Sequence, residues 1–454
     1  MGLFVQLLFF GRKINIDSKI LFLISCLIVA LTPWSILFSR TGFEGFTGQF
    51  LLLLSISFIL LSFQLNKSKW KFMLLLGSIL FGALSVYSYY SVRFVWPVVF
   101  ALTWVLFSSS LKSKKFLKDK AKSLLILIIS LATWSILLLP LSKSPFFQSS
   151  QQYRLSTDSL LNQDFALESN ELRQLAGNGF FSQIIYHRHL LFARSLAINV
   201  STHFDLKYLF LSGDQNLRHG TMMVGLFQWW MIIGFVVGIF ALSYQKTKHF
   251  LFLVSWWLAA LLPASVPLTI PHALRSLNAL PPLMIIIGFG FVQLIKIIHQ
   301  NLKIQYTYLV SFLILLMVLL SLPFLHDYFF HYPRRSANDW QYGYKQLVEY
   351  VGENQSKYKN IWIDFGDDRL YLWFLVYGNY SAENFQFWQS DNYRFDNIGN
   401  IQFHHIDREN PYEFYNGDLI IITNSDDLKQ NLEIVDEITD SFGEIKFVTG
   451  KFTK

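Results

Sequence analysis

Long, uninterrupted apolar runs dominate the chain up to residue 326. They fall at roughly Ile20–Phe38, Gln49–Phe63, Phe72–Tyr90, Phe94–Phe107, Ser123–Leu141, Thr221–Ser243, Phe250–Leu268, Ala279–Ile297 and Tyr306–Leu325. Each is long enough, or nearly so, to cross a hydrocarbon core of about 30 Å, and none shows the single apolar stripe of a soluble helix. The pattern predicts nine membrane spans. Met1–Phe10 is apolar as well, but it is too short to cross and lacks the basic start and small-residue cleavage site of a signal peptide.

The segment 142–220 between the fifth and sixth runs is too long for a simple connector. In its second half, from Phe181 to Phe204, Ile184, Ile185, Leu190, Leu191, Ala193, Leu196, Ala197 and Val200 recur at roughly helical spacing among His187, Arg188, His189 and Arg194. This predicts a helix lying along the membrane face. His187 and His189 are two residues apart and fall on different helix faces, which argues against a metal site there. The segment ends in Gly213-Asp214-Gln215-Asn216-Leu217-Arg218-His219-Gly220, rich in turn residues.

After Leu325 the pattern becomes that of a soluble domain. Asp339 is placed to cap a helix running to about Glu353, and β-like runs follow at Asn360–Phe365, Asp418–Thr423, Leu432–Ile438 and Glu444–Val448, with a helical stretch near Leu370–Tyr377. The expected architecture is a polytopic α-helical membrane domain, residues 1–326, with a small C-terminal α/β domain, residues 327–454. The tail holds no Gly-rich phosphate loop and no nucleophile motif, and Asp367-Asp368 reads as a helix start rather than a catalytic dyad.

Composition strengthens the membrane reading. Hydrophobic residues make up 53% of the 454, and charged residues only 15%, against the roughly 25% usual in a soluble domain. The lone Cys26 excludes an internal disulfide. The net charge of +8 divides unevenly: residues 1–326 hold 26 Lys and Arg against 9 Asp and Glu, and residues 327–454 hold 12 against 21. The basic excess does not point to nucleic acid, because most of it sits in short loops between spans. The loops around 11–19, 65–71, 110–122, 244–248 and 296–303 carry 16 basic residues and two acidic ones, and they alternate with basic-poor loops. That alternation puts 142–220 and the tail on the outer, extracytoplasmic side. It also runs Met1–Phe10 from outside to inside, as the cytoplasmic half of a helix, with a short re-entrant or interfacial segment as the alternative.

Three arginines stand at outer helix ends or connections: Arg40, Arg93 and Arg275. Each alone reads as a snorkelling anchor, but topology does not need them on this side, and guanidinium suits bidentate binding of phosphate. A converging cluster would suit an anionic lipid headgroup such as a polyprenyl phosphate.

Several stretches together resemble one family. They are Thr32-Pro33-Trp34-Ser35 through Arg40 to Glu44; Phe81-Gly82-Ala83-Leu84-Ser85 through Tyr87 to Arg93 and Pro97; Gly213-Asp214 with Arg218-His219; and Pro271-His272-Ala273-Leu274-Arg275-Ser276. In the tail, Trp340–Lys345 and Tyr371–Tyr377 join them. The chain resembles the integral-membrane glycosyltransferases of the protein O-mannosyltransferase and aminoarabinose-transferase type, which have the GT-C fold. The resemblance implies transfer of a sugar, with inversion, from a polyprenyl-phosphate donor to an acceptor hydroxyl on a protein, lipid or glycan at the outer face of the cell membrane, with no cofactor and no metal. It implies that Arg40, Arg93, Arg275 and His272 hold the lipid phosphate and that Asp214, Arg218 and His219 shape the acceptor side. The family's catalytic acid lies in the first external loop. Matching Thr32 to Glu44 places Met1–Phe10 after that loop, so the chain is expected to lack it, and Glu44 is the best remaining external acid. The alternative for Glu44 is a helix pair with Arg40 at four-residue spacing.

Two other classes compete. A transporter would show internal repeats or broken helices near mid-membrane, and the sequence shows no repeat. A non-catalytic protein that binds lipid-linked sugar gains weight from the expected loss of the acid.

Overall fold

The computed structural model describes residues 1–108, 117–364, 370–378, 397–409 and 411–452. Asp367-Asp368 lies outside them. The chain divides into two compact units, Met1–Phe329 and Phe330–Lys454.

The first unit is helical. The helices of its apolar runs are α2 (Ile16–Leu31), α3 (Pro33–Arg40), α4 (Glu44–Ser62), α5 (Ser68–Ser88), α6 (Val92–Phe107), α7 (Leu117–Leu137), α13 (Met231–Gln245), α14 (Thr247–Ser265), α15 (Leu280–Leu302) and α16 (Tyr306–His326). A short α1 (Gly2–Phe9) precedes them and buries Phe4 against Trp256. Between α7 and α13 come a short α8 (Leu139–Ser142) and then, within segment 142–220, α9 (Pro145–Thr157), α10 (Phe165–Leu175), α11 (Phe180–Ile185) and α12 (Arg188–Thr202). Among the described residues, six helices are long and apolar enough to cross a membrane, or seven if α2 and α3 count as one bent span. The other two predicted runs form shorter apolar helices: α6 has 16 residues and α13 has 15. At 1.5 Å per residue these reach only about 22–24 Å.

Three expectations are corrected. The run Ile20–Phe38 is not one straight helix but turns by 62° between α2 and α3. Pro33 cannot donate to the preceding turn, and Thr32 is extended at ψ 123°. The backbone groups freed there are satisfied by other segments: Gln228 Nε2 donates to Leu31 O at 2.7 Å, and Trp34 N–H donates to Leu226 O at 3.1 Å. The run Thr221–Ser243 is helical only from Met231, because residues 226 and 227 donate instead to Tyr208 O and Leu209 O. Gly225 permits this pairing, since a Cβ there would lie 2.4 Å from Phe210 Cα. The expected helix over 181–204 is broken into α11 and α12, with His187 as the cap whose Nδ1 accepts from His189 N–H at 3.4 Å.

Small residues set the closest helix contact. Gly234 and Gly238 of α13 face Gly290 of α15, and a Cβ on Gly290 would lie 1.8 Å from Gly234 O. This is backbone-on-backbone packing of the kind that small-xxx-small spacing allows.

The second unit carries a six-stranded sheet. Its strands are β1 (Ile361–Asp364), β2 (Asn397–Ile398), β3 (Ile401–Gln402), β4 (Leu419–Thr423), β5 (Leu432–Thr439) and β6 (Ile445–Phe452), in the order β2-β3-β1-β4-β6-β5. Strand β1 is parallel to β3 and β4, and β6 is antiparallel to β4 and β5. Alternation puts Ile361, Ile363, Leu419 and Ile421 in a core with Leu347, Val351 and Phe374, which belong to α17 (Tyr344–Asn354) and α18 (Tyr371–Tyr377). Ile420, Ile422 and Val448 fill a second core on the other face. The expected cap at Asp339 is corrected. The helix begins at Tyr344 after Gly343, whose φ of 102° and the positive φ of Gln341 interrupt any earlier helical turn.

Candidate functional site

The ends of α3, α5 and α14 and the starts of α4, α6 and α15 meet segment 142–220 at one end of the helical unit. A cavity of about 820 Å³ opens there, lined in part by Glu44, Arg93, Arg154, His219, His272 and Arg275. One flank is apolar: Phe94, Val98, Leu196, Leu262, Pro263 and Val266.

The loop between α14 and α15 forms one wall, and its conformation is fixed from several sides. Trp34 Nε1 donates to Ala273 O at 3.1 Å, Gln49 Nε2 donates to Leu277 O, and Asn278 Nδ2 donates to Ser91 Oγ at 3.0 Å. Ala273 N–H donates to Asp214 Oδ2 at 2.7 Å. Asp214 also accepts from Asn216 N–H at 2.9 Å, so one carboxylate shapes both its own turn and the loop opposite. Gly213, at φ +69°, and Gly220 allow that turn, since a Cβ at either would meet backbone oxygen within 3.0 Å.

Arg275 is held in place. Its Nη2 donates to Asp158 Oδ2 at 2.6 Å and its Nη1 to Thr269 O at 3.3 Å. Asp158 accepts in addition from Leu268 N–H at 2.9 Å and Thr269 N–H at 3.2 Å. Burial pushes the Asp158 carboxyl up, but the Arg275 guanidinium and the two amides more than offset this and hold it below its ordinary value. Arg275 is therefore a neutralised, structural cation here.

Arg93 and Arg154 are placed differently. Arg93 donates to Gln151 Oε1 and lies over Phe94 and Phe147 at 5.2 and 5.3 Å. Both guanidiniums face the ring of Tyr90, Arg93 at 5.7 Å and Arg154 at 4.4 Å. Among the described residues, neither lies within 4.0 Å of a carboxylate. Two like charges share one aromatic ring beside an open cavity. Glu44 is exposed in the cavity wall at the first position of α4, and among the described residues it has no hydrogen-bond or ion-pair partner.

Five of the residues expected at the site thus converge: Glu44, Arg93, His219, His272 and Arg275. Arg40 does not join them. It sits at the C-terminus of α3 with its guanidinium over Tyr328 and Phe329, at 5.3 and 4.8 Å. The expected Arg40–Glu44 helix pair is also absent among the described residues, because the turn 41–43 puts the two on different helices. Arg218 is outside the cavity wall; its N–H donates to Asn216 Oδ1 at 2.9 Å. Asp214 stands behind the wall rather than in it.

His272, expected to help hold the lipid phosphate, brings no positive charge to the cavity. Burial, then the neighbouring His219 and Arg275, push its imidazole down to about 3, so it is neutral at physiological pH. Burial would raise the Asp214 carboxyl, but His219, 3.6 Å away, and the amides of Ala273 and Asn216 hold it below its ordinary value.

Sequence reasoning missed Arg154, Asp158 and Tyr90. The only available signal for the first two was an Arg and an Asp four residues apart in a polar stretch of the long external segment. No family model, no curated protein and no solved structure matches this chain.

Proposed function

We propose that the cavity binds a polyprenyl-phosphate-linked sugar and that the chain is a GT-C-type glycosyltransferase, passing the sugar to an acceptor hydroxyl at the outer face of the cell membrane. In this reading the C-terminal unit is extracytoplasmic, and the acceptor is a protein, lipid or glycan. The observation that carries it is one cavity combining an apolar flank with two guanidiniums and a carboxylate that, among the described residues, have no ion-pair partner. An isoprenoid chain suits the first, its phosphate the second, and the proton of an attacking hydroxyl the third.

Each residue then has a defined task. Arg93 and Arg154 hold the phosphate, and their charge stabilises it as it leaves with the electrons of the broken sugar–oxygen bond. Glu44 takes the proton from the acceptor hydroxyl as its oxygen bonds to the anomeric carbon. Asp158 is already engaged by Arg275 and two amides, which leaves it a poor base. Arg275 orders the loop that carries His272, and His272 offers a single neutral hydrogen bond.

The test is transfer from a radiolabelled polyprenyl-phosphate sugar by the purified chain in liposomes. The expected result is labelled acceptor, reduced by about 100-fold or more in Glu44→Gln. Donor binding without product would instead support a lipid-linked-sugar binding protein, and an absence of donor binding would overturn both.

A further inference from the structure

We propose that Asp214, His219 and His272 form a binding site for a divalent metal ion of the zinc type on the inner wall of the cavity. The three residues each offer one ligand atom, and these atoms all lie within 4.8 Å of one another. Two imidazole nitrogens and one carboxylate oxygen are a donor set that zinc takes at catalytic sites, where three protein ligands leave a further position open. In a tetrahedral site with bonds of about 2.0–2.1 Å, ligand atoms stand about 3.4 Å apart. Asp214 Oδ2 and His219 Nδ1 are already 3.6 Å apart. A separation at the 4.8 Å limit must close by about 1.4 Å to reach a shared ion, a shift within reach of side-chain rotation.

The surroundings favour a ligand over a closed polar cluster. His219 is buried, and among the described residues its Nδ1 makes no close hydrogen bond; it faces Asp214 Oδ2 at 3.6 Å, which leaves room for an ion between the two. Its ring is stacked near Phe38, 6.1 Å between centroids, and faces His272 at 4.4 Å, so the two imidazoles are presented side by side. Asp214 is oriented by the amides of Asn216 and Ala273, the kind of outer hydrogen bonding that fixes a ligating carboxylate. The nearest cation, Arg275, is neutralised by Asp158 and does not oppose a second positive charge.

Position defines the role. His219 and His272 both line the cavity, whereas Asp214 stands behind them. The open coordination position therefore faces the cavity, where it takes water or an oxygen of the bound molecule. The site does not depend on the transferase reading, since its argument uses only the cluster and its neighbours.

Zinc binding is measured on the full chain in detergent, purified with a non-histidine tag, stripped with chelator and titrated against a competing zinc dye. The expected result is about one tightly bound zinc per chain, as for a single three-ligand site. His219→Ala and His272→Ala each weaken it by about 100-fold or more, beyond what loss of an outer-shell partner costs. His187→Ala, in the other histidine pair, leaves it unchanged. His272→Gln serves as the second variant, because His272 is only partly buried and its replacement leaves the core intact. No tight zinc in the wild type, or wild-type affinity in folded His272→Gln, overturns the site. Because the readout involves no sugar, its failure leaves the transferase proposal standing, and the converse also holds.

Discussion

Arg275 Nη2 donates to Asp158 Oδ2 at 2.6 Å, tying together two residues 117 positions apart in the chain. The bond fastens segment 142–220 to the loop between α14 and α15, and Leu160 N–H reinforces it by donating to Val266 O at 2.8 Å. It is the one charged contact in a set that also includes the amides of Leu268 and Thr269 donating to Asp158.

Asp158→Asn removes the charge partner of Arg275 and is expected to cost about 1–3 kcal/mol, as for a hydrogen bond between charged groups. The effect has a definite pH dependence. The folded-state carboxyl is held below its ordinary value, so its stabilisation is fully present above the unfolded value near 3.9 and is lost as pH falls through the folded one. Melting curves of the two proteins should therefore differ at pH 7, begin to approach each other below about pH 4 and converge only below the folded-state value. A difference that persists unchanged at low pH contradicts the pairing.

The arginine pair makes a separate prediction. Arg93→Ala with Arg154→Ala should weaken binding of an anionic polyprenyl phosphate by about 10-fold or more, while an uncharged polyprenol binds as before. Arg40→Ala should leave phosphate binding unaltered, because its guanidinium packs on Tyr328 and Phe329 rather than in the cavity. Lipid binding measured by native mass spectrometry separates the two. If Arg40→Ala proves the more damaging, the placement of the phosphate is wrong.

Gly290→Leu should abolish the folded state in detergent, judged by size-exclusion profile. Its Cβ would meet Gly234 O at 1.8 Å, and backbone on both helices leaves nothing soft to move. Gly177→Ala, with open space around its Cβ position, should run as a monodisperse peak despite its φ of +79°. A well-folded Gly290→Leu would show that α13 and α15 do not pack this closely.

Much of this architecture is legible in the sequence because it depends on local pattern. The nine apolar runs coincide with apolar helices, and the four β-like runs of the tail overlap β1, β4, β5 and β6. Legibility ends where the chain satisfies itself over long distances. The break at Thr32 depends on Gln228 and Leu226, nearly 200 residues away, and nothing near Pro33 announces whether its neighbours will be satisfied that way. The site divides along the same line. Glu44 and Arg93 stand at helix starts, and His272 and Arg275 lie in the connection between α14 and α15, so topology alone places them on one side. Arg154 and Asp158 belong to α9 and its C-terminal end, a polar stretch without buried residues, and only its folding over the helix ends brings them to Arg93 and Arg275. The charge state of His272 is hidden in the sequence for a related reason. Its neutrality follows from burial beside His219 and Arg275, which the order of residues does not show.

Glu44→Gln tests the proposed base without disturbing packing, since the side chain is exposed in the cavity wall. Turnover should fall by about 100-fold or more while the affinity for donor lipid stays within about twofold, the signature of a group acting in the transition state alone. Equal losses in binding and turnover would make Glu44 a positioning group for the substrate.

The most direct test of the cavity is photo-crosslinking of the full chain in liposomes with a polyprenyl phosphate bearing a photoreactive group beside the phosphate. Labelled peptides should come from the walls named here, around Tyr90–Val98, Gln151–Leu161 and Leu262–Arg275, and excess unlabelled polyprenyl phosphate should suppress them. Label confined to outward-facing helix surfaces such as Phe312 and Leu319 of α16, and insensitive to competitor, would contradict the account.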